Sequence, residues 1–383
     1  MALKDKKILI FIDWFYPGFK GGGPIQSCLN LVLSICSNFD VSVVTRNTDY
    51  GETEGYKGIN TNQWVNFSQG YRVLYLSDSS VSYAGISRII RENDPDHIYI
   101  NSMFSKYFSI YPLINNVLAN AAERPQMTIA PRGMLLHSAV QKKKFKKKLF
   151  FRLSSFLYRP GNIRFHATNE KEAESVKKYF PGKIVFVANN LPSQRQEKFV
   201  SLPKKPGTIN LIFISRIDPI KNLDLLLDIL NSVKAKVNLD IAGPFEDLMY
   251  WEKCKVKINL LPAHINVKVT GPIAQDNLAS LLRSSHLFVL LTKGENFGHI
   301  IFEAFLAGRP VLISDQTPWK NLRKFNVGAE IAINDYKSAE NYIEEAATWN
   351  QEQFDTVALN SWTFAKDYLA NDTNKAKYLE IFR

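Results

Sequence analysis

Two α/β domains, each a parallel sheet with helices on both faces, are what this sequence predicts. Three observations carry that expectation. Short apolar, β-branched runs recur along the chain, longer helix-patterned segments separate them, and a proline-bearing polar stretch divides them into two series. The runs are continuous rather than alternating, as strands buried on both faces of a parallel sheet require. A chain of 383 residues exceeds one typical core; two domains of roughly 150–200 residues suit it.

The first series of strands is expected at 8–13, 41–45, 97–101, 128–130, 165–168 and 184–187. The second is expected at 211–215, 239–242, 267–270, 287–291, 311–314 and 330–333. Between them, 189–206 is polar and carries Pro192, Pro203 and Pro206, a connection that neither sheet absorbs. Domains at 1–195 and 205–365 follow. The last helical segment spans 361–382, and residues 366–383 are expected as a C-terminal helix packing back on the first domain.

Composition excludes some classes. With 45% hydrophobic and 22% charged residues the chain reads as globular, not disordered. Cys28, Cys36 and Cys254 are too few and scattered for a disulfide framework or a zinc site, which suits a reducing cytoplasm. Lys4, Lys6 and Lys7 precede only five apolar residues before Asp13, too short for a signal peptide. No window reaches the length of a membrane span. The net charge of +12 calls for a polyanionic partner: nucleic acid, anionic lipid or a phosphorylated substrate.

The sharpest signal is Glu295-Asn-Phe-Gly-His-Ile-Ile-Phe-Glu303. A buried strand ends near Leu291, a glycine-containing loop follows, and a helix is expected from about Gly298 to Ala307. Ligands of doubly wound sheets sit there, outside strand carboxyl ends and near helix N-termini. Glu303 lies among Ile300, Ile301, Phe302, Ala304, Phe305 and Leu306, so its carboxylate needs a partner. A ligand or a buried salt bridge supplies one.

This segment, with Ala307-Gly-Arg-Pro-Val311 behind it, resembles the Glu-x7-Glu signature of the family-4 retaining glycosyltransferases. The resemblance implies the GT-B fold: two Rossmann-like domains with parallel sheets facing across a cleft. It implies that Glu295 contacts the transferred sugar and Glu303 the ribose, while Asn296, Phe297, Gly298 and His299 line the sugar. Upstream, Ser215-Arg-Ile-Asp-Pro-Ile-Lys-Asn222 resembles the family's Arg-x-x-x-x-Lys segment, in which Arg216 and Lys221 hold the diphosphate. Two cations there answer the charge that develops on the leaving group; a decorated strand end and a solvated helix turn are the plainer alternative. Thr270-Gly-Pro-Ile273 resembles the turn whose backbone meets the base, which places Ile273 at the donor. Gly243-Pro244 lacks the second glycine of the corresponding family segment, and Thr317-Pro-Trp-Lys-Asn-Leu322 matches a motif of a family subset.

In the first domain Gly21, Gly22 and Gly23 follow strand one, in a turn that permits close backbone approach to a ligand. The pattern is not Gly-x-Gly-x-x-Gly, which disfavours a nicotinamide cofactor. The resemblance places Gly22 and Gly23 opposite the donor phosphates. Ala130-Pro-Arg-Gly-Met-Leu135 resembles a family segment in which many relatives carry a histidine where Arg132 stands; Arg132 and His137 are the acceptor-side candidates. Residues 141–156 hold seven cations, no acid and an apolar stripe. They read as a basic amphipathic helix, for an anionic membrane surface or for its own domain. Asp94-Pro-Asp96 precedes a strand and reads as a turn, with no metal.

The expected activity is therefore retaining, metal-independent hexosyl transfer, from a nucleoside diphosphate sugar to a saccharide or lipid-linked saccharide. It needs no cofactor beyond the donor and belongs to the cytoplasm or the inner face of its membrane. A nucleotide-sugar 2-epimerase of the same architecture and a basic nucleic-acid-binding protein are the alternatives. For the second, the chain shows no recognisable nucleic-acid module.

Overall fold

A computed structural model describes residues 5–135, 155–195 and 197–383. The chain forms two compact units, Met1–Leu191 with Thr373–Arg383, and Pro192–Asp372.

In the first unit the strand order is β3-β4-β2-β1-β5-β6-β7-β8. These are β1 Lys7–Phe11, β2 Asp40–Arg46, β3 Trp64–Phe67, β4 Tyr71–Leu76, β5 His97–Ile100, β6 Gln126–Ile129, β7 Ile163–Ala167 and β8 Val185–Val187. All pair parallel except β3, which runs antiparallel to β4. The continuous apolar runs are explained by the pleat. Ile8, Ile10 and Ile12 pack on one face with Cys28, Leu31 and Val32 of helix Gly23–Ile35; Leu9 and Phe11 pack on the other with Ile86 and Ile89.

β3 and β4 lie outside the expected series. β3 is a four-residue edge strand, half-exposed, whose Trp64 takes the guanidinium of Arg72 over its ring at 4.6 Å. A strand held by one neighbour and a cation leaves little hydrophobic signal. The expected single segment 361–382 is also two helices, Gln351–Ala370 and Asn374–Ile381, parted where Asn371 caps the first. Tyr378, Ile381 and Phe382 of the second lie buried in the core of the first unit.

The second unit's sheet is parallel throughout, ordered β11-β10-β9-β12-β13-β14. Its strands are β9 Thr208–Ile214, β10 Lys236–Ala242, β11 Ile265–Gly271, β12 Leu287–Leu290, β13 Val311–Ser314 and β14 Gly328–Ile331. Each overlaps an expected run. The order reverses between β9 and β12, so the crevice beyond their carboxyl ends is the ligand position of this topology. Gly243, at φ 134°, closes the end of β10 against β9: a Cβ there would stand 1.8 Å from the Ser215 carbonyl oxygen.

Candidate active site

The loop after β9 is shaped by Asp218, whose Oδ1 accepts the amides of Ile220 (2.7 Å) and Lys221 (3.3 Å). This Asx-type turn starts helix Leu223–Leu230. Asn222 adopts φ 61° and donates through Nδ2 to the Leu291 carbonyl at 3.0 Å. From the other side, the Lys293 amide and the Thr292 hydroxyl donate to the Ile220 carbonyl. The loops after β9 and β12 are thus stitched together. Lys221 and Glu295 meet at their junction, Nζ to Oε1 at 2.5 Å, with side chains only 12% and 16% exposed. Arg216 lies in the same loop and pairs with Glu246, with Asp218 Oδ2 at 3.7 Å.

The Glu295–Glu303 segment is held from behind. The Glu295 amide donates to the Gln316 carbonyl (3.1 Å), and the Trp319 indole N–H donates to the Phe297 carbonyl (2.6 Å). Trp319 also packs against Phe297, Phe302 and Phe305. Gly298 starts helix His299–Leu306 at φ 76°, where a Cβ would fall 2.7 Å from Ile301 Cδ1. Among the described residues no side chain caps that helix. Asn296 is exposed, His299 half-buried and Phe297 buried, its ring 4.9 Å from that of His299.

Glu303 sits one turn into this apolar helix, 5% exposed, and its Oε1 has no hydrogen-bond partner among the described residues. Burial pushes its carboxyl up to about 7; Arg195 and the Ser193 hydroxyl counter part of that rise, and Glu197 adds to it. Ile273 follows the end of β11 and packs partly buried on the core.

The remaining candidates lie in the first unit. Gly22, at φ 67°, is the N-cap of helix Gly23–Ile35, and the loop before it is pinned by Asp49, which accepts the amides of Phe19 and Lys20. Arg132 is drawn into a buried polar network. Its Nε donates to Asn101 (2.7 Å), Nη1 to Asn190 (2.5 Å) and Nη2 to the Tyr99 hydroxyl (3.0 Å). His166 Nε2 donates to the Ala188 carbonyl, so its Nδ1 accepts from the Tyr99 hydroxyl at 2.7 Å. Glu172 takes the Gly133 and Thr168 amides and stands as the nearby counter-charge. Arg132 thereby ties three strand ends together. His137 and most of 141–156 lie outside the described residues.

Asp94 is a left-handed helix cap and Asp96 Oδ2 accepts the Lys7 amide. Among the described residues no group of three or more His, Cys, Asp or Glu is placed to hold a metal ion, and no helix is long and apolar enough to cross a membrane. The contribution of Asp218, Asn222 and Trp319 is not apparent from the motif spacing. Only the Asp-Pro-x-Lys-Asn turn chemistry and the Thr-Pro-Trp segment signal it.

Residues 194–353 match the family model described as "Glycosyl transferases group 1". The whole chain is similar to solved structures with the GT-B fold. The Anabaena protein HepE, crystallised with UDP and glucose, aligns at TM-score 0.66 and 15% identity over 98% of each chain. Sucrose-phosphate synthase of Thermosynechococcus elongatus aligns at TM-score 0.67 and 12% identity, over 98% of this chain and 97% of that one. WaaG, a glycosyltransferase involved in lipopolysaccharide biosynthesis, aligns at 0.63 and 12% over 98% of each. The comparison with curated proteins found no match.

Proposed function

We propose that this chain, whose residues 194–353 form a group 1 glycosyltransferase domain within a GT-B fold, moves a hexosyl unit from a nucleoside diphosphate sugar to a hydroxyl acceptor with retention. One observation carries the reading. A buried carboxylate with an orphan oxygen, Glu303, continues directly from a loop whose Glu295 is paired with Lys221. Burial of a carboxylate with one oxygen unbonded is costly beyond what Arg195 and Ser193 offset, and a ribose hydroxyl donating to that oxygen reduces the cost.

Lys221 and Arg216 stabilise the departing diphosphate, aided by the uncapped helix end at Gly298. Glu295 and the 296–299 loop orient the sugar. The leaving phosphate oxygen takes the acceptor proton on the same face, so the reaction asks for no enzymic nucleophile and no metal. HepE, crystallised with UDP, makes uridine diphosphate the first nucleotide to try. WaaG, a glycosyltransferase involved in lipopolysaccharide biosynthesis, and TarM, solved with UDP and α-GlcNAc-glycerol, support a role in glycoconjugate chemistry. We assign this chain to bacterial polysaccharide or lipopolysaccharide synthesis on the cytoplasmic side, with 141–156 as its contact to an anionic membrane.

The test is a thermal-shift screen of uridine, guanosine, thymidine and adenosine diphosphates and their hexose conjugates. One nucleotide should raise the melting temperature in wild type, since a ligand of the folded state stabilises it by mass action. Glu303→Ala should abolish the shift. Absence of any shift, or an unchanged one in Glu303→Ala, sinks the assignment. Anomeric configuration of the product, read by NMR, decides retention.

A further inference from the structure

The carboxyl edge of the first sheet holds a polar cluster that the donor chemistry does not use. β1 and β5 are neighbours but not consecutive, with β2 on the other side of β1. That makes their ends the switch point of this sheet, where doubly wound folds take a ligand. Asp13 arrives there just past β1, Arg46 at the end of β2, and Ser105 in the segment after β5.

The geometry is specific. Ser105 Oγ donates to Asp13 Oδ1 at 2.7 Å and accepts the Phe108 amide at 3.1 Å. It thereby ties the carboxylate to the π-helical turn Lys106–Ile110, a backbone irregularity that favours functional sites. Arg46 Nε stands 4.0 Å from the same oxygen and has no hydrogen-bond partner among the described residues. Its guanidinium is fixed over the rings of Tyr107 (5.2 Å) and Phe108 (5.6 Å), and Nη1 binds Asp78 at 2.8 Å. Asp13 Oδ2 receives no hydrogen bond from any described residue, and the side chain keeps 18% exposure.

The carboxylate is thus held by one oxygen and open at the other. Its burial raises its pKa, so a further donor at Oδ2 is favourable. The Arg46 guanidinium beside Asp13 repels a further cation, and the carboxylates of Asp13 and Asp78 repel an anion. A neutral hydroxyl remains. Trp14, next in the chain, and Tyr50, set edge-on to it and 42% exposed, supply rings with an apolar body and a polar tip. Such surfaces suit the C–H faces of a pyranose.

We propose that this cluster is a subsite for a neutral saccharide acceptor, in which Asp13 Oδ2 accepts a hydrogen bond from a sugar hydroxyl and Ser105 and Arg46 position the carboxylate. The proposal rests on the glycosyltransferase reading. Asp13→Asn keeps the shape and the oxygen facing Ser105 but turns the open acceptor into a donor.

Saturation-transfer NMR on the full chain, with methyl α- and β-D-glucopyranoside, -galactopyranoside and -mannopyranoside as probes, tests it. At least one glycoside should bind wild type, lose fivefold or more of its signal in Asp13→Asn, and lose less in Ser105→Ala. The UDP thermal shift should be unchanged in both variants. Binding of no glycoside to wild type, or equal binding to Asp13→Asn, overturns the subsite. If wild type shows no nucleotide shift, the donor reading falls while the glycoside data still decide the subsite. Should Asp13→Asn fail to melt cooperatively, Ser105→Ala decides: an undiminished signal there overturns the proposal.

Discussion

Glu303→Gln isolates the energetic cost of the buried carboxylate. The folded-state pKa is pushed from the ordinary 4.5 up to about 7. A rise of this size corresponds to on the order of 3 kcal/mol between the two protonation states. The sign follows from proton counting. Between about pH 4.5 and 7 the folded chain holds a proton that the unfolded chain has released, so stability falls as pH rises through that window. Above it the full cost is present; below it the cost vanishes. Glutamine is neutral at every pH and nearly isosteric. The variant should therefore match wild type within about 1 kcal/mol at pH 5 and exceed it by up to roughly 3 kcal/mol at pH 8. Urea unfolding at pH 5, 6, 7 and 8, followed by tryptophan fluorescence and circular dichroism, measures this. Parallel stability curves for the two proteins, or a less stable variant at pH 8, would refute the reasoning.

Other substitutions probe the scaffold and the loop. Gly243→Ala adds a Cβ 1.8 Å from the Ser215 carbonyl at φ 134° and should destabilise by about 3 kcal/mol or more, seen as a large drop in melting temperature. Gly23→Ala, with nothing within 4 Å of the new atom, is its control and should melt near wild type. Lys221→Met leaves Glu295 without its cation and should cut transfer by roughly a hundredfold in kcat, with a smaller change in melting temperature. Trp319→Phe removes the donor to the Phe297 carbonyl and part of the buried indole's packing, at about 2–4 kcal/mol. Donor KM should rise more than acceptor KM in steady-state assays.

How much the sequence revealed depended on the range of the forces involved. The central strands of the second unit, such as Leu287–Leu290 and Val311–Ser314, announce themselves because burial on both faces makes them continuously apolar, whereas Ile265–Gly271 at the edge shows only an alternating trace. Trp64–Phe67 does not, because an edge strand needs only one neighbour and its exposed residues carry no pattern. The break after Ala370 has a local signal in Asn371-Asp-Thr373, residues that favour caps and turns, but the apolar positions that continue through Tyr378, Ile381 and Phe382 overlie it and make the two helices read as one. Within the site, the Glu295 and Glu303 spacing was visible, but the pairing of Lys221 with Glu295 joins residues 74 apart in sequence. The same holds for Arg132: the segment around it was legible as a motif, while its engagement by Asn101, Asn190 and Tyr99 is a product of tertiary packing.

Both candidate phosphate cations have carboxylate partners. Arg216 and Lys221 contribute +2, and Asp218, Glu246 and Glu295 contribute −3, so the cluster is −1. Local net charge therefore does not draw a diphosphate in. The long-range field of a chain with net charge +12 assists encounter, and binding then requires the cations to exchange partners. Glu246 is the partner that lies outside the Glu295–Glu303 segment, and its pair with Arg216 is about one-third exposed. An exposed pair of this kind is worth roughly 0.2–1 kcal/mol, so Glu246→Gln should tighten UDP binding by up to about fivefold. Calorimetric titration of UDP at low and moderate salt measures it, with the gain shrinking as salt screens the competing carboxylate. Weaker binding in Glu246→Gln would mean that Glu246 aims the guanidinium at the phosphates rather than competing with them.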